Sequence, residues 1–269
     1  MPLKSSHHGT ASNPAARWHR IDIDGNRGEK PLAALVEAFR SLRASVLLST
    51  ADHPPGSLLI TSTQPGEGKT TVAANLAISL AQLGQRVLLV DADLRFPSLQ
   101  RLFGVRQSLG LVSYLTGQQD WRSAVCPSRS PGLDLLLCGP VPPNPAELLS
   151  SKSMGAFLTS AKAEYGFVIL DSSPLLSLAD SRILAALVDG VLLVVKSGAT
   201  PRDQVTQSQS SIRSSGANLI GVVLNNVTLH TNGYYGLGVY GSNGNGNNNG
   251  NSHKEMISDS ADSWSTSTK

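Results

Sequence analysis

Cysteine is nearly absent from this sequence: Cys126 and Cys138 stand 12 positions apart, with no CxxC pair and no histidine beside either. That scarcity excludes a zinc site, an iron–sulfur centre and a disulfide framework, and leaves both residues as structural thiols. Long apolar runs are missing too. The longest, such as Gly190 to Val195, are of strand length, far short of the roughly 20 residues that cross a bilayer. Lys4 is followed by no apolar run of about 7 to 15 residues, so no secretory signal is read and a cytoplasmic chain is expected. A dominant charge sign is lacking as well. The 22 basic and 19 acidic residues are spread along the chain, without the clustered basic stripe that nucleic-acid binding needs.

What is present fits one domain with two loose ends. Residues 1–30 are rich in Ser, His, Gly, Asn and Pro and read as a flexible arm. A helix is expected from Pro31, with Leu32, Leu35, Val36, Phe39, Leu42, Val46 and Leu47 at helical spacing. From Leu58 onward, short apolar runs alternate with amphipathic segments. This is the pattern of an α/β fold with a mostly parallel central sheet and helices on both faces. The predicted strands are Ser57–Ser62, Arg86–Asp91, Leu133–Leu137, Phe167–Asp171, Gly190–Lys196 and Leu219–Leu224. The domain spans residues 31–227. Beyond it, residues 228–269 combine Gly, Asn and Ser with a few tyrosines and are expected to be disordered.

Three segments carry chemistry. The first runs from the strand at Leu58 through Gln64-Pro-Gly-Glu-Gly-Lys-Thr-Thr71 into a helix expected from Val72 to Leu83, the setting of a P-loop. Gly66, Glu67 and Gly68 would offer backbone N–H groups to phosphate, Lys69 would reach the β and γ phosphates, and Thr70 would ligate Mg²⁺, with Thr71 beside it. Thr63 stands where the strict pattern has glycine. In the second segment, Leu88-Leu-Val-Asp-Ala-Asp-Leu-Arg95, Asp91 and Asp93 fall at the carboxyl end of a buried strand. There they can share a metal shell, poise one carboxylate as a base, or cap a helix from Leu94 to Phe103. The third, Phe167 to Asp171 followed by Ser-Ser-Pro174, has the apolar run and terminal Asp of a Walker B strand.

Taken in order, these segments resemble the three motifs of the bacterial tyrosine kinases of exopolysaccharide and capsule synthesis, a family with the P-loop NTPase fold. Glu37-Ala-Phe-Arg-Ser-Leu-Arg43 and Gly139 to Leu149 are similar to further family segments, so the likeness covers residues 31–227. The resemblance implies an ATP- and Mg²⁺-dependent protein-tyrosine autokinase with Lys69, Asp91, Asp93 and Arg95 as catalytic residues. Asp91 would be the base, Thr70, Asp93 and Asp171 the metal shell, and Arg95 a charge partner. It further implies an oligomeric ring gripped through Glu37, Arg40 and Arg43, with the tail tyrosines Tyr234, Tyr235 and Tyr240 phosphorylated. A separate membrane-embedded chain-length regulator would recruit the chain to the inner membrane face and activate it. Other readings stay open. Glu37 and Arg40 also form an ordinary helix-surface ion pair. Asn225 either resembles an adenine-reading residue or ends a strand in a turn. The tail tyrosines are sparse, which leaves room for an ATP-binding scaffold. A partitioning or cell-division switch ATPase is the third reading, although Gln64 occupies the place of its signature lysine.

Overall fold

The computed structural model describes residues 29–50 and 53–227. The tail reading for residues 228–269, with Tyr234, Tyr235 and Tyr240, and the arm reading up to residue 28 lie outside the described residues.

Seven strands among the described residues form one sheet: β1 (Ser57–Ser62), β2 (Val87–Asp91), β3 (Val125–Pro127), β4 (Leu133–Leu136), β5 (Phe167–Asp171), β6 (Gly190–Lys196) and β7 (Leu219–Asn225). Their spatial order is β3-β4-β2-β5-β1-β6-β7. Every neighbouring pair is parallel except β3 with β4. Strands β1, β2 and β5 are buried at every position, which is why each carries an apolar run: Leu58 to Ile60, Val87 to Val90 and Phe167 to Leu170. Strand β3 had no such run. It is a short edge strand ending in Pro127, a residue tolerated only where no ladder hydrogen bond is required, and it exists because β4 offers it a free edge.

Alternate strand residues feed two cores. One face packs Leu59, Leu88, Val90, Val168 and Leu170 under α4 (Leu111–Leu115), α6 (Lys152–Glu164), α7 (Asp180–Ala185) and α8 (Arg202–Ser214). The other packs Leu58, Ile60, Val87, Leu89 and Ile169 under α2 (Lys69–Ala81) and α3 (Leu99–Phe103). Each fully buried leucine or isoleucine here contributes about 1.5–3 kcal/mol relative to exposure. The N-terminal helix α1 (Glu29–Leu47) lies on α2, with Val46 fully buried and Phe39, Leu42 and Leu47 against the same cluster. Val36 stays 42% exposed. A further short helix, α5 (Pro145–Leu149), packs against α6 and α7.

One expected helix is much shorter than predicted. Instead of a helix from Leu94 to Phe103, residues 94–98 bend and only Leu99–Phe103 is helical. Pro97 is the reason: its ring disfavours helical backbone at Phe96, so the chain turns before it coils. Helix α2 starts at Lys69, directly behind the left-handed Gly68.

Candidate active site

The carboxyl ends of the central parallel strands β1, β2 and β5 converge on one cavity of about 990 Å³, lined by Gly66, Lys69, Thr70, Thr71, Asp93 and Ser98 among others. Above the end of β1, Gly66 (φ 79°) and Gly68 (φ 92°) adopt left-handed backbone, a conformation that costs an L side chain energy. Nothing lies within 4 Å of where a Cβ of Gly66 would sit, so the loop is open on that side. The N-terminal N–H groups of α2, unpaired within the helix, add an anion-attracting dipole.

The loop is braced from beneath. The Glu67 side chain, only 4% exposed, turns inward: it accepts the Gln64 N–H at 2.9 Å and a hydrogen bond from the Thr200 hydroxyl. Asn225 Nδ2 donates to the Glu67 carbonyl at 2.9 Å, in the space that a side chain at Gly68 would need. The side chains of Glu67 and Asn225 therefore shape the phosphate loop from within the protein.

Across the sheet, Asp91 and Asp171 are register partners on the neighbouring strands β2 and β5, and both are fully buried. Burial pushes the Asp171 carboxyl up to about 7, and the Lys69 charge pulls the other way. The Thr70 hydroxyl pulls more weakly in the same direction as Lys69, although its hydrogen bond is made with Ser98 Oγ at 3.0 Å. Neither oxygen of Asp171 has a hydrogen-bond partner. Two orphaned carboxylate oxygens beside a threonine hydroxyl fit a divalent cation, whose charge would replace the missing donors.

Asp91 Oδ2 accepts the N–H groups of Ser98 and Leu99 at 3.0 and 2.9 Å, while Oδ1 has no partner. Burial raises this carboxyl to about 6, against the pull of the two N–H groups. Asp93 pairs with Lys69 at 3.1 Å, with 2% and 15% side-chain exposure respectively, and its Oδ1 accepts the Phe96 N–H at 3.1 Å. Asp91 and Asp93 thus make different contacts: Asp93 holds the P-loop lysine, and Asp91 anchors the turn at Ser98.

Comparisons with known proteins identify the family. An AAA domain model matches residues 58–214, and tyrosine-protein kinase YwqD of Bacillus subtilis is 40% identical over 210 residues, covering 77% of this chain and 89% of that protein. The chain belongs to the bacterial tyrosine kinases.

A putative tyrosine-protein kinase in the cps region of Klebsiella pneumoniae is 34% identical over 208 residues, which span 77% of this chain but 29% of that protein. Among solved structures, the kinase domain of the Escherichia coli tyrosine kinase Etk superposes with a TM-score of 0.73 at 32% identity, covering 85% of this chain and 86% of that one. The reaction class is accordingly that of a tyrosine kinase, and the P-loop fold implies nucleotide binding. No helix among the described residues is long and apolar enough to cross a membrane.

Within this kinase, other expected site residues fall in less central places. Arg95 makes a two-pronged ion pair with Asp180, at 2.7 and 3.1 Å, and that partner is 1% exposed. Its charge is therefore committed to α7. Arg43 Nη1 donates to the Ser79 carbonyl at 2.7 Å and fastens α1 to α2 in its own chain. Glu37 and Arg40 pair at 3.3 Å on the open surface, each about half exposed. Ser98, Thr200 and Asp180 were not legible as site residues, because a lone Ser, Thr or Asp far from a motif carries no local pattern; each acts through a contact made across the fold.

Proposed function

We propose that the chain is an ATP-dependent protein-tyrosine autokinase acting in exopolysaccharide or capsule biosynthesis. The observation that carries this reading is the pairing of Asp91 and Asp171 across β2 and β5, buried and under-bonded, beside Lys69 and Thr70. Mg·ATP would enter with its phosphates on the loop from Gly66 to Thr71. Lys69 would then leave Asp93 for the phosphates, and Thr70 would exchange Ser98 for the metal. Thr70, Asp171 and the freed Asp93 are the residues to hold Mg²⁺, which when bound offsets the negative charge of the phosphates.

Asp91 is the proton acceptor in this scheme. A carboxylate raised to about 6 is still ionised at neutral pH and is a stronger base than an ordinary aspartate. It takes the phenolic proton as the tyrosine oxygen bonds to the γ phosphorus. The bond from that phosphorus to the β,γ bridging oxygen breaks, and ADP leaves with the electron pair. Lys69 stabilises the charge that develops on the transferred group.

Tyr234, Tyr235 and Tyr240 are proposed as the autophosphorylated residues, presented between copies of the chain in a ring. The exposed Glu37 and Arg40 support that contact, whereas Arg43 is already bonded within its own chain. A separate membrane-embedded chain-length regulator is the proposed activator and would bring the chain to the inner membrane face. The switch-ATPase reading is disfavoured by Gln64, whose side chain is bonded to Gln204 of the same chain at 3.1 Å.

The deciding experiment incubates the full chain with Mg·ATP, alone and with the cytoplasmic tail of a membrane partner. Intact mass and peptide mapping of residues 228–269 are the readouts. Phosphate on Tyr234, Tyr235 or Tyr240 in the wild type, and none in Lys69→Met, is expected. Tight ATP binding without any phosphate transfer would leave an ATP-binding scaffold, and rapid ADP release without transfer would indicate a switch ATPase.

A further inference from the structure

Beside the nucleotide cavity lies a second one, of about 480 Å³, lined by Asp91, Gln100, Arg101, Arg106, Cys138 and Gly139 among others. The nucleotide-side residues Lys69, Thr70 and Asp93 do not line it. Three observations give it a character of its own. First, Asp91 is one of its walls, fully buried and with Oδ1 lacking any hydrogen-bond partner. Secondly, Arg101 lines both cavities, so they meet at its side chain. Thirdly, Arg101 and Arg106 are exposed and make no hydrogen bond or ion pair among the described residues, in contrast to Arg43, Arg95 and Arg122.

We infer that this cavity receives the acceptor segment of a protein substrate, and that Arg101 and Arg106 select a tyrosine flanked by acidic residues. A phenol entering here would meet the wall that Asp91 forms, with Arg101, which also lines the nucleotide cavity, beside it. Two guanidinium groups converging on one cavity without partners of their own attract carboxylates and fit them in a two-pronged geometry. The chain's own tail does not supply such flanks: no Asp or Glu occurs between Asp203 and Glu255, a stretch that contains Tyr234, Tyr235 and Tyr240. The preferred acceptor is therefore an acidic tyrosine segment on another protein, with the tail a poorer one.

This inference deepens the kinase reading and rests on it, so the test separates the two. Transfer from Mg·ATP by the full chain is measured on two peptides with one tyrosine each, one flanked by glutamates and the other the chain's own residues 236–245. The acidic peptide should be favoured about tenfold in kcat/KM, and the preference should fade as salt rises. Arg106→Glu should bring the ratio to one or below, and Arg101→Ala with Arg106→Ala should reduce it. Equal kcat/KM for both peptides in the wild type, or a preference that neither variant changes, would overturn the inference. Binding of the same peptides with phenylalanine for tyrosine, followed by fluorescence anisotropy, removes the dependence on catalysis. Arginine-dependent binding of the acidic version, without transfer to any peptide, would uphold the subsite and sink the kinase reading. Absence of that binding would sink the subsite however the transfer assay falls.

Discussion

Asn225 and Glu67 are 158 positions apart in sequence, yet the Asn225 amide donates to the Glu67 carbonyl at 2.9 Å, so the end of the edge strand β7 holds the phosphate loop in shape. The contact is to the protein backbone, and the prediction follows from that. Asn225→Ala should weaken ATP and GTP binding by the same factor, about fivefold for one lost hydrogen bond, in a fluorescent-nucleotide titration. A loss confined to ATP would instead return Asn225 to adenine reading.

Lys69 and Asp93 form a nearly buried pair, and removing one partner leaves the other charge uncompensated. Lys69→Met should therefore abolish phosphate transfer and also lower the melting temperature of the nucleotide-free protein, by several degrees for about 2–3 kcal/mol. Asp93→Asn combined with Lys69→Met should recover most of that stability and none of the activity. Differential scanning fluorimetry with a parallel kinase assay reads both.

Asp171 is buried with neither oxygen hydrogen-bonded, an arrangement that costs stability in the absence of a ligand. Asp171→Asn should raise the melting temperature without ligand while removing most of the rise that Mg·ATP gives to the wild type. Chelating the metal should reduce the nucleotide-induced rise in the wild type and leave the variant little changed.

Arg95 and Asp180 tie the turn after β2 to α7, with the carboxylate buried and the guanidinium about one-third exposed. Arg95→Ala should cost about 2 kcal/mol, between the values for exposed and buried pairs, and Asp180→Asn in the same chain should restore part of it. Chemical denaturation of the single and double variants measures the coupling. If Arg95 acted mainly on phosphate, the double variant would recover no stability.

The two arginines of α1 should behave differently. Arg43→Ala removes the bond to the Ser79 carbonyl and should lower the melting temperature by loosening α1 from α2, whereas Arg40→Ala should leave it unchanged. In sedimentation, Arg40→Ala should shift the assembly towards smaller species. An unchanged assembly size in that variant would count against the proposed ring contact.

The sequence by itself determined six of the seven strands described and the glycine-rich loop between β1 and α2. Strands β1, β5 and β6 fall at their expected bounds, because strands buried on both faces carry an apolar run that is visible without any tertiary knowledge. The P-loop is legible for a similar reason: its glycines, lysine and threonines are adjacent in the chain, so one local pattern carries the whole chemistry. Tertiary structure decided whatever depends on distant partners. It cut the helix after Asp93 to Leu99–Phe103, created β3 at a free edge, and gave Asp91 and Asp93 different contacts. It also committed Arg95 to Asp180, Arg43 to α2 and Asn225 to the Glu67 carbonyl, and brought Arg101 and Arg106 to one cavity. A charged or amide side chain looks the same in sequence whichever partner it meets; only the packing of the sheet and helices chooses that partner.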